Sequence, residues 1–304
     1  MTEHVHDGIS VKPSFVIIGA MKCATSTIHD QLAKQDGISM SEPKEPNFFS
    51  DDEQWDRGLD WYSSLFESMP KADIKGESST HYTKLPTYPD CIDRLHEHLP
   101  NVKLVYVMRD PVDRLVSQFI HEWSVNAISK DCSIAQAVKE FSELIDYSRY
   151  AMQLEPFVER YGMDSILPVF FERVMDEPQR ELERIACFIG YEGDVQWVAD
   201  DAQNVSSQRQ RRSPMLNMVL NLKLVQVVRR TLLPESLRAK IRSRWTMKDR
   251  PTLSEAAIER IREQLDPDMA RLGEMFGIDL SCDNFKEQVR ASALDWTRQE
   301  PADG

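Results

Sequence analysis

The chain has 304 residues, 41% hydrophobic and 29% charged, and its 37 Lys and Arg against 50 Asp and Glu give a formal net charge of −13. That is enough chain for a single large domain over 1–304 with its core in about 13–200, and so acidic a balance argues against non-specific nucleic-acid binding. No run approaches the roughly 18 apolar residues of a membrane span. The polar start MTEHVHDGISVKP is not a secretory signal, and five scattered cysteines with no CxxC pair read as reduced thiols of a cytoplasmic protein, with neither a disulfide framework nor a zinc site.

Taken in chain order, Ser14–Ile18 is a short apolar run ending at Gly19, the pattern of a buried parallel strand. Thr25 to Lys34 has helical spacing, with Ile28, Leu32 and Ala33 on one face. A short strand is predicted around Ile74, and the clearest buried strand runs from Val102 to Met108, stopped by Pro111. VDRLVSQFIHEW follows as a helix with Leu115, Val116, Phe119, Ile120 and Trp123 as its stripe, and SIAQAVKEFSELI continues the helical period. SILPVFFE reads as a further strand and EPQRELERIACFIGY as a further helix. This alternation predicts an α/β fold with a central parallel sheet flanked by helices on both faces. Strand signals stop after Tyr191. A polar loop, a basic segment over about 205–250 and C-terminal helices over about 251–290 follow, with a helix predicted from Ser254 through Gln264 and Pro267 as its punctuation.

The first loop, GAMKCATST, leaves a strand and opens a helix, so its free amides and the helix dipole suit an anion. It is not the nucleotide loop GxxxxGK[ST]: the corresponding positions are Ala24, Thr25 and Ser26, and the lysine comes three places early, at Lys22. An early lysine with three hydroxyls after it suits a phosphate bearing a further anionic group, with no metal required. The alternative is a turn that binds nothing. In RDPVDRLVSQF, Arg109 ends a strand and Ser117 lies in the first turns of the next helix. Ligands of open α/β sheets bind at such strand ends, and a guanidinium fork suits phosphate. Otherwise Arg109 pairs with Asp110 or Asp113 on the surface.

Together these segments resemble the sulfotransferases that use 3′-phosphoadenosine 5′-phosphosulfate (PAPS), and most of all their heparan-sulfate and bacterial carbohydrate-type branch. EPKEPNFF, GESSTHY, YSRYAMQLEPFVERYG, FFERVMDEPQRELERIACFIGY, NVSSQRQRRSP and LDPDMARLGEMFGIDLS fit in order, so the resemblance covers roughly Pro13 to Ser281. It implies a P-loop-like three-layer fold. It also implies that Lys22, Cys23, Ala24, Thr25, Ser26 and Thr27 surround the 5′-phosphosulfate, that Lys22 neutralises the leaving oxygen, and that Arg109 and Ser117 bind the 3′-phosphate. Glu45 matches the family's general base. Lys44 and His81 lie on the acceptor side, and His121 matches a histidine near the acceptor. Arg211 and Arg212 fall where the family closes a basic loop over the nucleotide. Pro46 is expected to hold Glu45 in extended backbone angles. Three departures stand out: Ala24 replaces a loop glycine, Ser78 replaces an acceptor-side lysine of some relatives, and QRQRRSP differs from the Lys-Gly-Arg loop of the animal enzymes.

From Arg209 to Arg250 there are 12 Lys and Arg against two acids, a local +10 that leaves −23 on the rest of the chain. The segment is expected either to meet an anionic partner or to form a solvated helical face; over 215–245 it is apolar and basic enough to act as a lid near the acceptor or to make a peripheral contact with anionic lipid. The expected acceptor is a sugar or small-molecule hydroxyl, and nothing in the pattern fixes an oligomeric state. Two rival readings are a nucleotide kinase or NTPase with a variant loop, and a non-catalytic nucleotide-binding or membrane-surface module.

Overall fold

A computed structural model describes residues 10–71, 73–199, 251–291 and 294–296. Five strands, β1 (Phe15–Gly19), β2 (Ile38–Met40), β3 (Ile74–Ser78), β4 (Lys103–Met108) and β5 (Ile166–Phe170), form one all-parallel sheet in the order β2-β3-β1-β4-β5. Every residue of β1 and β5 is buried, so both faces of the sheet are covered, as the continuous apolar runs require. The helices among the described residues are α1 (Thr25–Leu32), α2 (Asp52–Trp55), α3 (Leu59–Glu67), α4 (Cys91–His98), α5 (Pro111–Ser124), α6 (Ile134–Glu140), α7 (Glu143–Asp146), α8 (Tyr150–Tyr161), α9 (Phe171–Asp176), α10 (Pro178–Ile189), α11 (Glu255–Phe276) and α12 (Phe285–Ala291).

The described residues cluster into two compact units. One, drawn from Met1–Arg114, Ile145–Ala199 and Ile261–Gly304, carries the whole sheet; the other is drawn from Leu115–Leu144 and Asp200–Arg260. None of the described helices is long and apolar enough to cross a membrane. In the first unit the chain leaves β1 toward one edge of the sheet and leaves β4 toward the other. The two strands are neighbours, so a crevice opens between their carboxyl ends.

Two predicted elements differ. SIAQAVKEFSELI is two helices, because Phe141 caps α6 with extended angles, φ −121° and ψ 94°. Pro267 does not end a helix: α11 runs 22 residues through it. The lost backbone bond is offset where Asp268, the next residue and buried, accepts the N–H groups of Ala151 and Met152 at 2.9 Å each. β2 and α12 carry no clear period and were not legible.

Candidate active site

The loop after β1 is shaped by close approach. A Cβ on Gly19 would sit 1.9 Å from Thr83 Oγ1, which donates to the Ile18 carbonyl at 2.8 Å, so no side chain fits there. The loop then turns through two left-handed non-glycine residues, Lys22 (φ 73°) and Ala24 (φ 67°, ψ 20°). Left-handed angles cost L-residues roughly 1–2 kcal/mol each, and such strain collects where a loop must present its amides. Ala24 therefore tolerates its Cβ by taking the conformation a glycine would. No side chain caps α1, and its first internal bond is Ile28 N–H to the Ala24 carbonyl at 3.1 Å. The amides of Thr25, Ser26 and Thr27 thus lie outside the helical ladder at the positive end of its dipole. Thr25 is buried, Ser26 exposed and Thr27 half-buried.

Cys23 points into the core: its Sγ lies 3.9 Å from Tyr150 Oη, and burial pushes its thiol up to about 12 against the pull of Arg114 and Arg109. Its amide donates to the Ala20 carbonyl at 3.3 Å. The Tyr150 hydroxyl also donates to the Arg109 carbonyl at 2.7 Å and accepts the Arg109 N–H at 3.3 Å. One buried tyrosine therefore ties the loop after β1 to the residue after β4. The Arg109 guanidinium sits 4.3 Å above the Phe171 ring, and among the described residues it has no ion pair and its buried Nε no hydrogen-bond partner. Asp110 and Asp113 pair instead with Lys286, at 3.5 and 2.8 Å. Beneath lies Arg114, 0% exposed, donating from Nε to Ser148 Oγ at 2.6 Å. The buried Arg114, the strand-end Arg109 and the loop amides together fit a polyanionic ligand bearing two separate phosphoryl-type groups.

The second cluster lies beyond β2 and β3. Glu45 accepts from Lys44 Nζ at 2.7 Å and from Thr80 Oγ1 at 3.4 Å, and its side chain is 35% exposed. Burial pushes its carboxyl up, but Lys44, Lys84 and His81 outweigh burial and hold it below the ordinary glutamate value. Its backbone is not extended: φ is 57°, and Asn47 at φ 51° is also left-handed. The constraint of Pro46 is overridden because β3 clamps the loop. Glu45 N–H donates to the Ser78 carbonyl at 2.9 Å, and Asn47 N–H to Ser79 Oγ at 3.0 Å. Ser79 in turn donates to Glu77 at 2.6 Å. Glu77 is 0% exposed and also accepts the hydroxyls of Tyr62 and Tyr82; burial raises its carboxyl against these three bonds. Ser78 Oγ meets His29 Nδ1 at 2.9 Å, joining α1 to the same strand end. Burial, helped by Lys44, pushes His29 down to about 4, so it is neutral at pH 7.

His81 lies beside this cluster. Its Nδ1 is 2.8 Å from Asp51 Oδ1 and its ring stacks on Tyr88 at 4.8 Å, while burial and Lys84 hold its pKa below the ordinary imidazole value despite Asp51. The fold thus brings Lys44, Glu45 and His81 into one electrostatic neighbourhood, and Lys22, Cys23, Ala24, Thr25 and Arg109 into another. Ser117, buried, and His121 lie on α5 in the other compact unit. Arg211, Arg212 and the basic stretch 215–245 lie outside the described residues. Sequence reasoning missed Tyr150, Glu77, Asp51 and Arg114. Arg114, Glu77 and Tyr150 each lie in a segment that resembles the family, RDPVDRLVSQF, GESSTHY and YSRYAMQLEPFVERYG, whereas Asp51 carried no signal.

The model of a family described as "Sulfotransferase domain" matches residues 12–226. Mouse heparan sulfate glucosamine 3-O-sulfotransferase 3B1 is 28% identical over 185 residues, 59% of this chain and 46% of that protein. The membrane-associated sulfotransferase kil1 of Dictyostelium discoideum is 33% identical over 110 residues, 35% of this chain and 22% of that protein. The chain spans about half the length of the heparan sulfate enzymes it matches. Among solved structures, a sulfotransferase from Alicyclobacillus acidocaldarius superposes with a TM-score of 0.61 at 20% identity, covering 89% of this chain and 98% of that one. Mouse sulfotransferase SULT7A1, complexed with PAP, superposes at 0.50 with 12% identity, covering 93% and 90%. These two likenesses establish the P-loop-like fold.

Proposed function

Since the chain belongs to the sulfotransferase-domain family, matched over residues 12–226, we propose that it moves a sulfuryl group from PAPS to the hydroxyl of a carbohydrate or small-molecule acceptor, without a metal ion. The observation that carries this reading is the pair of anion-binding features joined by Tyr150: the amides at the start of α1 and the Arg109 guanidinium, which has no ion pair among the described residues. The loop after β1, with Lys22 and the hydroxyls of Thr25, Ser26 and Thr27, holds the 5′-phosphosulfate. Arg109 and Ser117 hold the 3′-phosphate, and Arg211 and Arg212 are further candidates for nucleotide binding. Mouse SULT7A1, whose structure holds PAP, the spent nucleotide, shares the fold.

Sulfuryl transfer leaves little covalent work to the protein, so positioning and charge dominate. Lys22 neutralises charge on the leaving oxygen. Glu45, held ionised by Lys44, takes the acceptor proton as the hydroxyl attacks. His81 and Lys44 are assigned to the acceptor side, and His121 is a further acceptor candidate. All five cysteines are free thiols, as in a reducing, cytoplasmic compartment. The test is incubation with sulfur-labelled PAPS in excess EDTA against a panel of glycan and small-molecule alcohols. Transfer of label to an acceptor hydroxyl, with PAP released, supports the reading. A strict magnesium requirement, with transfer of phosphorus instead of sulfur, overturns it.

A further inference from the structure

Acidic residues accompany Arg109 in the fold, and Glu172 is within electrostatic reach of it. Asp110 follows it in the chain, Asp113 lies in the first turn of α5, and Glu172 accepts the Asp110 N–H at 2.9 Å while sharing the electrostatic environment of both residues. Carboxylates this near a phosphate-binding fork would either pair with it or repel the phosphate. The structure resolves this from a distant part of the chain. Phe285, fully buried, packs its ring 6.4 Å from Tyr150 and 6.0 Å from Phe170, which seats α12 against the strand ends. The next residue, Lys286, then reaches Asp113 at 2.8 Å and Asp110 at 3.5 Å. Among the described residues, Lys286 joins Arg109 and Arg114 as a third cation near these carboxylates, and it lies within ion-pair distance of Asp110 and Asp113. Lys286 also lies beyond residues 12–226, outside the part that the family model matches.

We propose that Lys286 is a positioning residue for the 3′-phosphate subsite: from α12 it neutralises Asp110 and Asp113, and so leaves the Arg109 guanidinium available to an incoming phosphate. The inference rests on the proposed role of Arg109. An ammonium and a phosphate separated by several ångströms at a partly solvated site interact with modest energy that salt screens. The expected loss of PAP affinity on removing Lys286 is therefore about 3–10-fold, and larger at low salt. The fold should survive, since Lys286 is 46% exposed and its ion pairs are near-surface.

The experiment is calorimetric titration of the full chain with PAP, and competition with adenosine 5′-phosphate, which lacks the 3′ group, at low and physiological salt. Lys286→Met should weaken PAP about 3–10-fold and leave adenosine 5′-phosphate unchanged, with Lys286→Arg close to wild type. Asp110→Asn placed in the Lys286→Met background should restore PAP binding: asparagine keeps the bond by which Asp110 Oδ1 accepts the Asp113 N–H at 2.8 Å, yet removes the charge. If Lys286→Met weakens both nucleotides equally, its role is merely structural and the inference fails. If Arg109→Ala weakens PAP while Lys286→Met does not, the inference fails and the proposed function stands. If Arg109→Ala leaves PAP affinity intact, the 3′-phosphate assignment and the inference fall together.

Discussion

The loop after β1 and the loop bearing Glu45 solve a similar problem by different means. Both bend through paired left-handed non-glycine residues, Lys22 with Ala24 and Glu45 with Asn47. The first is held mainly by backbone and by one buried tyrosine; its charges, Arg109 and Arg114, come from a single neighbouring segment. The second is held by side chains from several segments, with β3 clamping it through Ser78 and Ser79, and Lys44, Thr80 and His81 gathered around its carboxylate. Anion cradles can be built from local chain geometry. A carboxylate base needs an environment, and that environment comes from residues far apart in sequence.

The comparison breaks most sharply at Glu45. Glu45→Gln is nearly isosteric, so it should fold and bind PAP normally yet lose about 10²-fold or more in turnover at saturating acceptor, the scale of one general base. Near-normal turnover would move the base role elsewhere, with His81 and His121 the next to test.

His29 joins the two regions through Ser78, and its effect is on stability. The unfolded imidazole takes a proton near its ordinary value of about 6.5, while the folded one refuses it until about 4. A depressed folded pKa gives stability that is fully present above 6.5 and lost as pH falls toward 4, by up to about 3 kcal/mol. Urea unfolding of His29→Gln should therefore show a shallower decline between pH 6.5 and 4. An unchanged slope would remove His29 from the account.

Tyr150→Phe deletes the hydroxyl that serves both the amide and carbonyl of Arg109, and should cost about 1–3 kcal/mol in urea unfolding while weakening PAP several-fold. A loss of stability with PAP affinity unchanged would separate the tyrosine from the site. The smallest effect is expected at Ala24. Ala24→Gly relieves a left-handed side chain worth roughly 1–2 kcal/mol but adds unfolded-chain entropy of about 0.5–1 kcal/mol. The net should be neutral to about 1 kcal/mol stabilising, and clear destabilisation would mean that the Ala24 methyl packs usefully.

The same contrast governs what the sequence made legible. Gly19, Lys22, the hydroxyls and Arg109 were readable because they are contiguous with two buried strands whose apolar runs are unmistakable. The Glu45 loop was readable only by resemblance, and its backbone was misjudged: Pro46 sets a local preference, whereas the bonds to Ser78 and Ser79 that override it come from a strand some thirty residues on. Tyr150, Glu77 and Lys286 act through burial and long-range pairing, which no local period encodes. Pro267 misled for the same reason, since the Asp268 bonds to α8 lie outside any local window.

The central claim is a metal-free nucleotide site that recognises a 3′-phosphate, and thermal denaturation with added nucleotide in EDTA tests it most directly. PAP at about 100 times its Kd should stabilise the folded chain by about 2.7 kcal/mol, with adenosine 5′-phosphate at the same concentration giving a much smaller shift. Equal shifts from the two nucleotides, or no shift from PAP, would contradict it.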